Sequence, residues 1–424
     1  MNKVGYYKNN CRLCKSSNLI KFLDLGLQPP SDQFIKFEKT REHKIFYPLE
    51  VNNCRVCGFK QLSYVVNKKI LYQDNYPYES SLTATGAKHF GQFAKSVTQE
   101  YKLCSDDLVI DIGSNVGILL NGFKKLGIKT LGIDPAKNIC KIANKRGIKT
   151  INYFFDTKTA KMCKKKYGTA KVLTGTNVFA HIDDLDNFFN SVCELMDKKK
   201  GILIIEVPYF VNLFKKIEYD TIYHEHLSYI TILPLIKYLT KFKLEIINVL
   251  SKDIHGGSIR IFISNAGNYK INKTVNKLII KEKKLKLNNL KVLENFSKKV
   301  KINRYKLIEY LTKLKIKNKK IIALSAPAKG MTLLNYCKID NDYLDYATEK
   351  SKLKIGSYTP GGQVPVYSDA KILKERPDFA ILLAWNFSKE IINNNKSYLK
   401  KGGKFIIPIP KLKIISKKKY NENQ

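Results

Sequence analysis

The chain has 424 residues, 44% of them apolar and 26% charged, with a formal net charge of +40. That length holds two or three domains with real cores, and that apolar content excludes a disordered chain. No run of about 18 apolar residues occurs, which argues against a membrane-spanning helix; the best candidate, GILIIEVPYFVNLF, carries Glu206 in its middle.

The start, MNKVGYYKNN, lacks the apolar core of a signal peptide, so a cytoplasmic enzyme is the expectation. Two tight stretches follow, CRLCKSS and CRVCGFK, which pair Cys11 with Cys14 and Cys54 with Cys57. Each C-x-x-C turn presents two thiolates to one tetrahedral ion, and two turns complete a closed site. A redox dithiol or disulfides are the rivals. Two matched knuckles argue against the first and a cytoplasmic setting against the second. The reading is structural zinc, with the intervening segment expected to loop out. The other five cysteines are scattered and read as core residues.

Residues 108–120, LVIDIGSNVGILL, read as a buried strand, a glycine turn and a helix start. Gly113 and Gly117 permit the sharp turn and a close backbone approach, and the free N–H groups beyond it face a ligand. The dinucleotide pattern G-x-G-x-x-G is missing. An acid just before the turn, Asp111, suits a ligand with a cationic amine, such as the methionine end of S-adenosylmethionine (SAM). The next strand, in TLGIDPA, ends at Asp134, placed to accept ribose hydroxyls. An ordinary βαβ unit without a ligand is the bland alternative. Further strands in 171–182 and 201–208 alternate with helices, which implies a mainly parallel sheet with ligands at its carboxyl edge. Asn177 and His181 leave one strand there, and Glu206 ends the next.

Residues 221–229, TIYHEHLSY, contain two of the six histidines. H-E-H lacks the one-turn spacing of a helical zinc site. Acid–base chemistry fits better. Histidine titrates near neutrality, a neighbouring carboxylate tunes it, and tyrosine can bond a developing oxyanion. Beside a methyl donor these groups can make and hold an enolate.

Residues 270–318 place Leu and Ile at helical spacing among lysines, as amphipathic helices with solvated faces do. A membrane-surface helix is the sharper but weaker reading. Only seven arginines occur in the chain, and its lysines are dispersed among Asn and Ile. Arginine is the residue for bidentate phosphate and base recognition, so nucleic acid is disfavoured as the main partner. A small anionic substrate explains local basic patches equally well. KKIIALSAPAKGMTLLN then reads strand, turn, helix, with Lys329 placed to cradle a phosphate although the P-loop spacing fails. Later strands continue that layer to a frayed tail.

The chain resembles the SAM-dependent sugar C-methyltransferases that act on nucleotide-activated keto-sugars in deoxysugar pathways. The resemblance runs nearly full length through the two knuckles, YPYESS (76–81), DIGSNVG (111–117), NVFAHI (177–182), YHEHLSY (223–229), GGSIR (256–260) and APAKGMTLLN (326–335). It implies an α/β protein in three parts. A zinc-binding domain spans 1–75, a class I methyltransferase domain of Rossmann-like fold 76–265, and a C-terminal Rossmann-like domain that helps hold a nucleotide sugar 266–414, before a tail at 415–424. It implies His226 as general base, with Tyr223, Glu225, Tyr76 and His181 orienting or sharing the proton work. SAM would be held by Asp111, Gly113, Ser114, Asn115, Gly117, Asp134 and Asn177. Tyr78, His224, Lys329, Thr332 and Asn335 are candidates for substrate contact. Two departures stand out: Val116 replaces an acid in DIGSNDG, and PGGQVP (360–365) stands for PGTHIP. A sugar O-methyltransferase, a zinc-bearing RNA methyltransferase and a non-catalytic scaffold are the alternatives. No Pro-Cys nucleophile or N-P-P-Y-type motif supports RNA, and a monomer is compatible with everything in the sequence.

Overall fold

The computed structural model describes residues 4–39, 45–72, 84–254 and 256–421. The chain divides into two compact units that interleave along the sequence. The first contains 1–20, 52–211 and 227–288; the second contains 21–51, 212–226 and 289–424.

The first unit is organised on a seven-stranded sheet. Val172–Thr176 lies parallel to Leu108–Ile112 on one side and Ile202–Pro208 on the other. Lys129–Ile133 and Thr150–Ile151 extend the sheet in parallel beyond Leu108–Ile112. At the opposite side Ser258–Asn265 runs antiparallel to Ile202–Pro208, followed by Leu244–Lys252. The central strands are buried except for Thr176 and Pro208 at their carboxyl ends, as expected for strands covered on both faces. Helix Ala84–Glu100 lays Phe90, Phe93, Ala94 and Val97 against Val109, Leu119, Leu120, Phe123 and Ile204. Burying each large side chain of this kind contributes roughly 1.5–3 kcal/mol, so this layer fastens the helix to the sheet.

The second unit has an eight-stranded sheet. Its parallel centre runs through Lys404–Ile407, Phe379–Leu382, Ile321–Leu324, Tyr346–Glu349 and Pro365–Ser368. Ser357–Tyr358 pairs antiparallel with Pro365–Ser368, and Ile35–Lys36 pairs with Ser357–Tyr358. The segment between the cysteine knuckles therefore adds a strand to the sheet of the C-terminal part. Sequence reasoning expected only an outward loop there, because a two-residue strand has no periodicity to detect. The lysine-rich stretch forms helix Lys273–Lys284 of the first unit and helix Leu290–Ile316 of the second, the latter with Leu293, Phe296, Val300, Leu307 and Leu311 buried at helical spacing.

Candidate active site

The four knuckle cysteines come together within the first unit, all four sulfur atoms within 4.8 Å of one another. Cys11 Sγ lies 3.6 Å from Cys57 Sγ, and Cys14 Sγ 3.5 Å from Cys54 Sγ. Sulfurs at about 2.3 Å from a tetrahedral zinc stand roughly 3.8 Å apart, so the cluster fits that ion with no position left open. Arg12, wedged between these ligands and fully buried, donates from Nε to Asp183 Oδ1 at 3.0 Å and from Nη1 to Leu62 O at 3.1 Å. The knuckle is thereby tied to the segment that follows His181.

At the sheet's carboxyl edge, Leu108–Ile112 turns through Gly113 (φ 65°), Asn115 (φ 50°) and Gly117 (φ 77°) into helix Ile118–Lys124. A Cβ on Gly113 would come within 2.3 Å of Val178, so the turn requires glycine twice over. Asp111 is buried and accepts from Thr174 Oγ1 at 2.7 Å; burial pushes its carboxyl up to about 7 against that bond. Asp134 follows the neighbouring strand and accepts from the N–H groups of Asn115 and Ala136, both at 2.9 Å. Ser114 Oγ and Asn177 Oδ1 are buried without a protein partner. Both have spare hydrogen-bonding capacity at the carboxyl edge of the sheet, which fits a polar ligand there. Val116 packs with Ala136 and Ile139, so an apolar cluster absorbs this departure from the motif.

Next to this turn lies a charged trio of which sequence reasoning found only part. Glu206 accepts from His89 Nε2 at 2.6 Å and from Arg260 at 2.8 Å (Nε) and 2.7 Å (Nη2). Burial works to raise the Glu206 pKa, yet His89 and Arg260 hold it below its ordinary value. The strand register places Thr176 and Arg260 on either side of Glu206, and Asn177 N donates to Glu206 O at 2.7 Å. Arg260 also lies over the Phe93 ring. His89 was missed because it sits on an amphipathic helix far from any motif. His181 ends the short 3-10 helix Phe179–His181 and stacks on Tyr72, with ring centroids 5.9 Å apart.

The YHEH residues belong to the second unit. His226 Nδ1 lies 2.7 Å from Thr221 O. A carbonyl only accepts, so Nδ1 carries the proton and Nε2 of the neutral ring keeps its lone pair. The Tyr223 ring lies against His226, with centroids 4.0 Å apart. His224 adopts the opposite tautomer: its Nε2 donates to Tyr47 O at 3.3 Å, and its ring meets the Tyr47 ring edge-on. Burial pushes His224 down to about 4, so it is neutral at physiological pH. Glu225 is also buried.

The substrate candidates of the C-terminal part make internal contacts. Lys329 Nζ lies 3.4 Å from Asp220 Oδ2 and 4.1 Å from the centre of the Trp385 ring. Trp385 Nε1 donates to the same carboxylate oxygen at 2.6 Å. Removing one partner of such a buried pair costs about 3–5 kcal/mol. Thr332 Oγ1 donates to Ile222 O at 3.0 Å. Asn335 Nδ2 donates to Met331 O and Pro360 O, and a Cβ on Gly361 would meet Asn335 Oδ1 at 2.0 Å. The PGGQVP loop thus needs glycine against Asn335. Tyr76 and Tyr78 lie outside the described residues.

Comparison with known proteins decides the family. The chain matches a zinc binding domain over residues 11–72, a methyltransferase domain over 90–249 and a C-methyltransferase C-terminal domain over 253–410. It is 30% identical to the C-methyltransferase NovU of Streptomyces niveus over 409 residues, which span 96% of this chain and 97% of NovU. The chain belongs to the SAM-dependent C-methyltransferase family. Two solved methyltransferases match part of the chain at low similarity. One, from Clostridium acetobutylicum, is 13% identical over 43% of this chain and 92% of its own, with a TM-score of 0.34. The other, the magnesium protoporphyrin IX methyltransferase of Synechocystis with bound S-adenosylhomocysteine, is 12% identical over 44% and 88%, with a TM-score of 0.33. This enzyme uses SAM as methyl donor and carries a structural zinc site in its knuckles. No helix among its described residues is long and apolar enough to cross a membrane.

Proposed function

We propose that this C-methyltransferase methylates a carbon next to the ketone of a nucleotide-activated keto-deoxysugar. The observation that carries the reading is the tautomer of His226. With Nδ1–H held by Thr221 O, Nε2 is the ring nitrogen that takes a proton when the imidazole is neutral. In the proposed step His226 Nε2 takes the proton from the carbon alpha to the ketone. The C–H electron pair moves into a carbon–carbon double bond, and the carbonyl pair moves onto oxygen. Tyr223, beside the base, holds the resulting oxyanion, while Glu225, His181 and Tyr76 orient the base and share the proton traffic.

SAM supplies an electrophilic methyl group, which the nucleophilic carbon of the enolate accepts. Its holders in this reading are Asp111 and the backbone of Gly113–Gly117, with Ser114, Asn115, Asp134 and Asn177. The partnerless Ser114 Oγ and Asn177 Oδ1 support the assignment. Substrate contacts from Tyr78, His224, Lys329, Thr332 and Asn335 carry less support: His224, Thr332 and Asn335 donate within the protein, and Lys329 is ion-paired with Asp220, although its Nζ makes no hydrogen bond among the described residues.

The deciding test incubates the enzyme with SAM and a panel of nucleotide 4-keto-6-deoxyhexoses, followed by mass spectrometry and NMR. A product gaining one methyl on carbon is expected. A methyl on oxygen would replace the reading with O-methylation, and methylation of added RNA with no sugar product would overturn it.

A further inference from the structure

The turn that carries the base is anchored residue by residue to distant parts of its own unit. Tyr219 OH donates to Asn303 Oδ1 at 2.9 Å, and Asn303 Nδ2 donates on to Pro408 O at 2.9 Å. Asp220 accepts from Trp385 and pairs with Lys329. Thr221 Oγ1 donates to Glu218 O at 2.7 Å, leaving Thr221 O to take the His226 proton. Ile222 O accepts from Thr332. Asp220 and Thr332 are fully buried. Four consecutive residues are therefore each fixed, and the carbonyl among them is the one that determines the imidazole tautomer.

We propose that Asp220, Lys329, Trp385 and Thr332 are positioning residues for His226: they hold the 219–222 turn so that Thr221 O selects the Nδ1–H tautomer. The inference rests on the reading of His226 as base. It gives the APAKG lysine and the tryptophan a task that is not substrate binding. Lys329 is the counter-ion of a buried carboxylate, and Trp385 is both its cover and a donor to the same oxygen. Were Lys329 a phosphate ligand, Asp220 would lie beside the phosphate and repel it. A turn held this way resists the small rotations that would let water compete for Thr221 O, after which the ring would populate both tautomers.

The test uses the full chain labelled with 15N-histidine. Two-dimensional long-range 1H–15N NMR separates the Nδ1–H from the Nε2–H form, and His226→Ala assigns the signal. The wild-type protein should show one tautomer at His226. Asp220→Asn and Thr332→Val should each convert it to a mixture, with SAM affinity by calorimetry changed less than twofold. Thr332→Ser, which restores the hydroxyl, should return the single form. The chain has one tryptophan, so the Trp385 emission maximum reports the cluster directly and should shift red in Asp220→Asn. A single Nδ1–H tautomer in both Asp220→Asn and Thr332→Val overturns the inference; if Asp220→Asn fails to fold, the Thr332→Val and Thr332→Ser pair decides alone. The failure of the underlying reading looks different: full turnover by His226→Ala removes His226 as base, whatever the tautomer.

Discussion

The proposed donor turn and the proposed base turn are held by different means. The turn at 111–117 draws its shape from neighbours in sequence: two glycines with positive φ, a strand before, a helix after, and one acid from the next strand. The turn at 219–222 has no glycine. Local bonds close 218–222 into a short 3-10 turn, and side chains 84 to 165 positions away fix three of its residues. A cofactor common to many enzymes is held largely by backbone N–H groups, which any strand–turn–helix of the right dihedrals provides. A base must have one tautomer and one direction, and those are set by side-chain partners.

The comparison is broken most severely by His226→Ala. A general base contributes about 10²–10⁴-fold, so methyl transfer should fall by roughly 10³-fold. Calorimetric SAM binding should be unchanged, because the donor turn uses none of the same residues. Loss of SAM binding in this variant would show that the two turns are not independent. The converse variant, Gly113→Ala, puts a Cβ on a φ of 65° and into Val178. SAM affinity should drop about tenfold or more, from roughly 1–2 kcal/mol of backbone strain plus the clash, while the His226 NMR signal stays as in the wild type.

The smallest expected effect sharpens the electrostatics of the base turn. Burial, reinforced by Asp220, pushes the Glu218 carboxyl from 4.5 up to about 8. A folded-state pKa above the unfolded value means that the folded chain binds the extra proton. Its contribution is therefore fully present below about pH 4.5 and is lost progressively as pH rises to about 8. Glu218→Gln should flatten that part of the Tm-against-pH curve measured by calorimetry. An unchanged slope would place the pH dependence elsewhere.

The sequence by itself determined the α/β class, the pairing of two cysteine knuckles and the strand–glycine–helix turn. Each rests on contacts between residues close in the chain, or on dihedrals only glycine adopts readily. Val116 shows the limit of such reading. The sequence showed only that Val116 departs from the motif; the structure shows that it is a buried packing residue. Only the tertiary structure showed that 212–226 belongs with the C-terminal sheet, that His224 and His226 hold opposite tautomers, and that His89 completes a trio with Glu206 and Arg260. A tautomer is chosen by whichever acceptor the fold brings within hydrogen-bond reach, and a buried carboxylate by whichever cation closes over it. The partners of Glu206 and Asp220 come from far along the chain and leave no periodicity behind; Thr221 is only five residues from His226, but nothing in the sequence says that its carbonyl meets the ring. The residue types in YHEH announce proton chemistry; the hydrogen bond to Thr221 O distinguishes the two nitrogens of His226, and the lysine, threonine and tryptophan of the C-terminal part contact Asp220 and Ile222 on either side of that carbonyl.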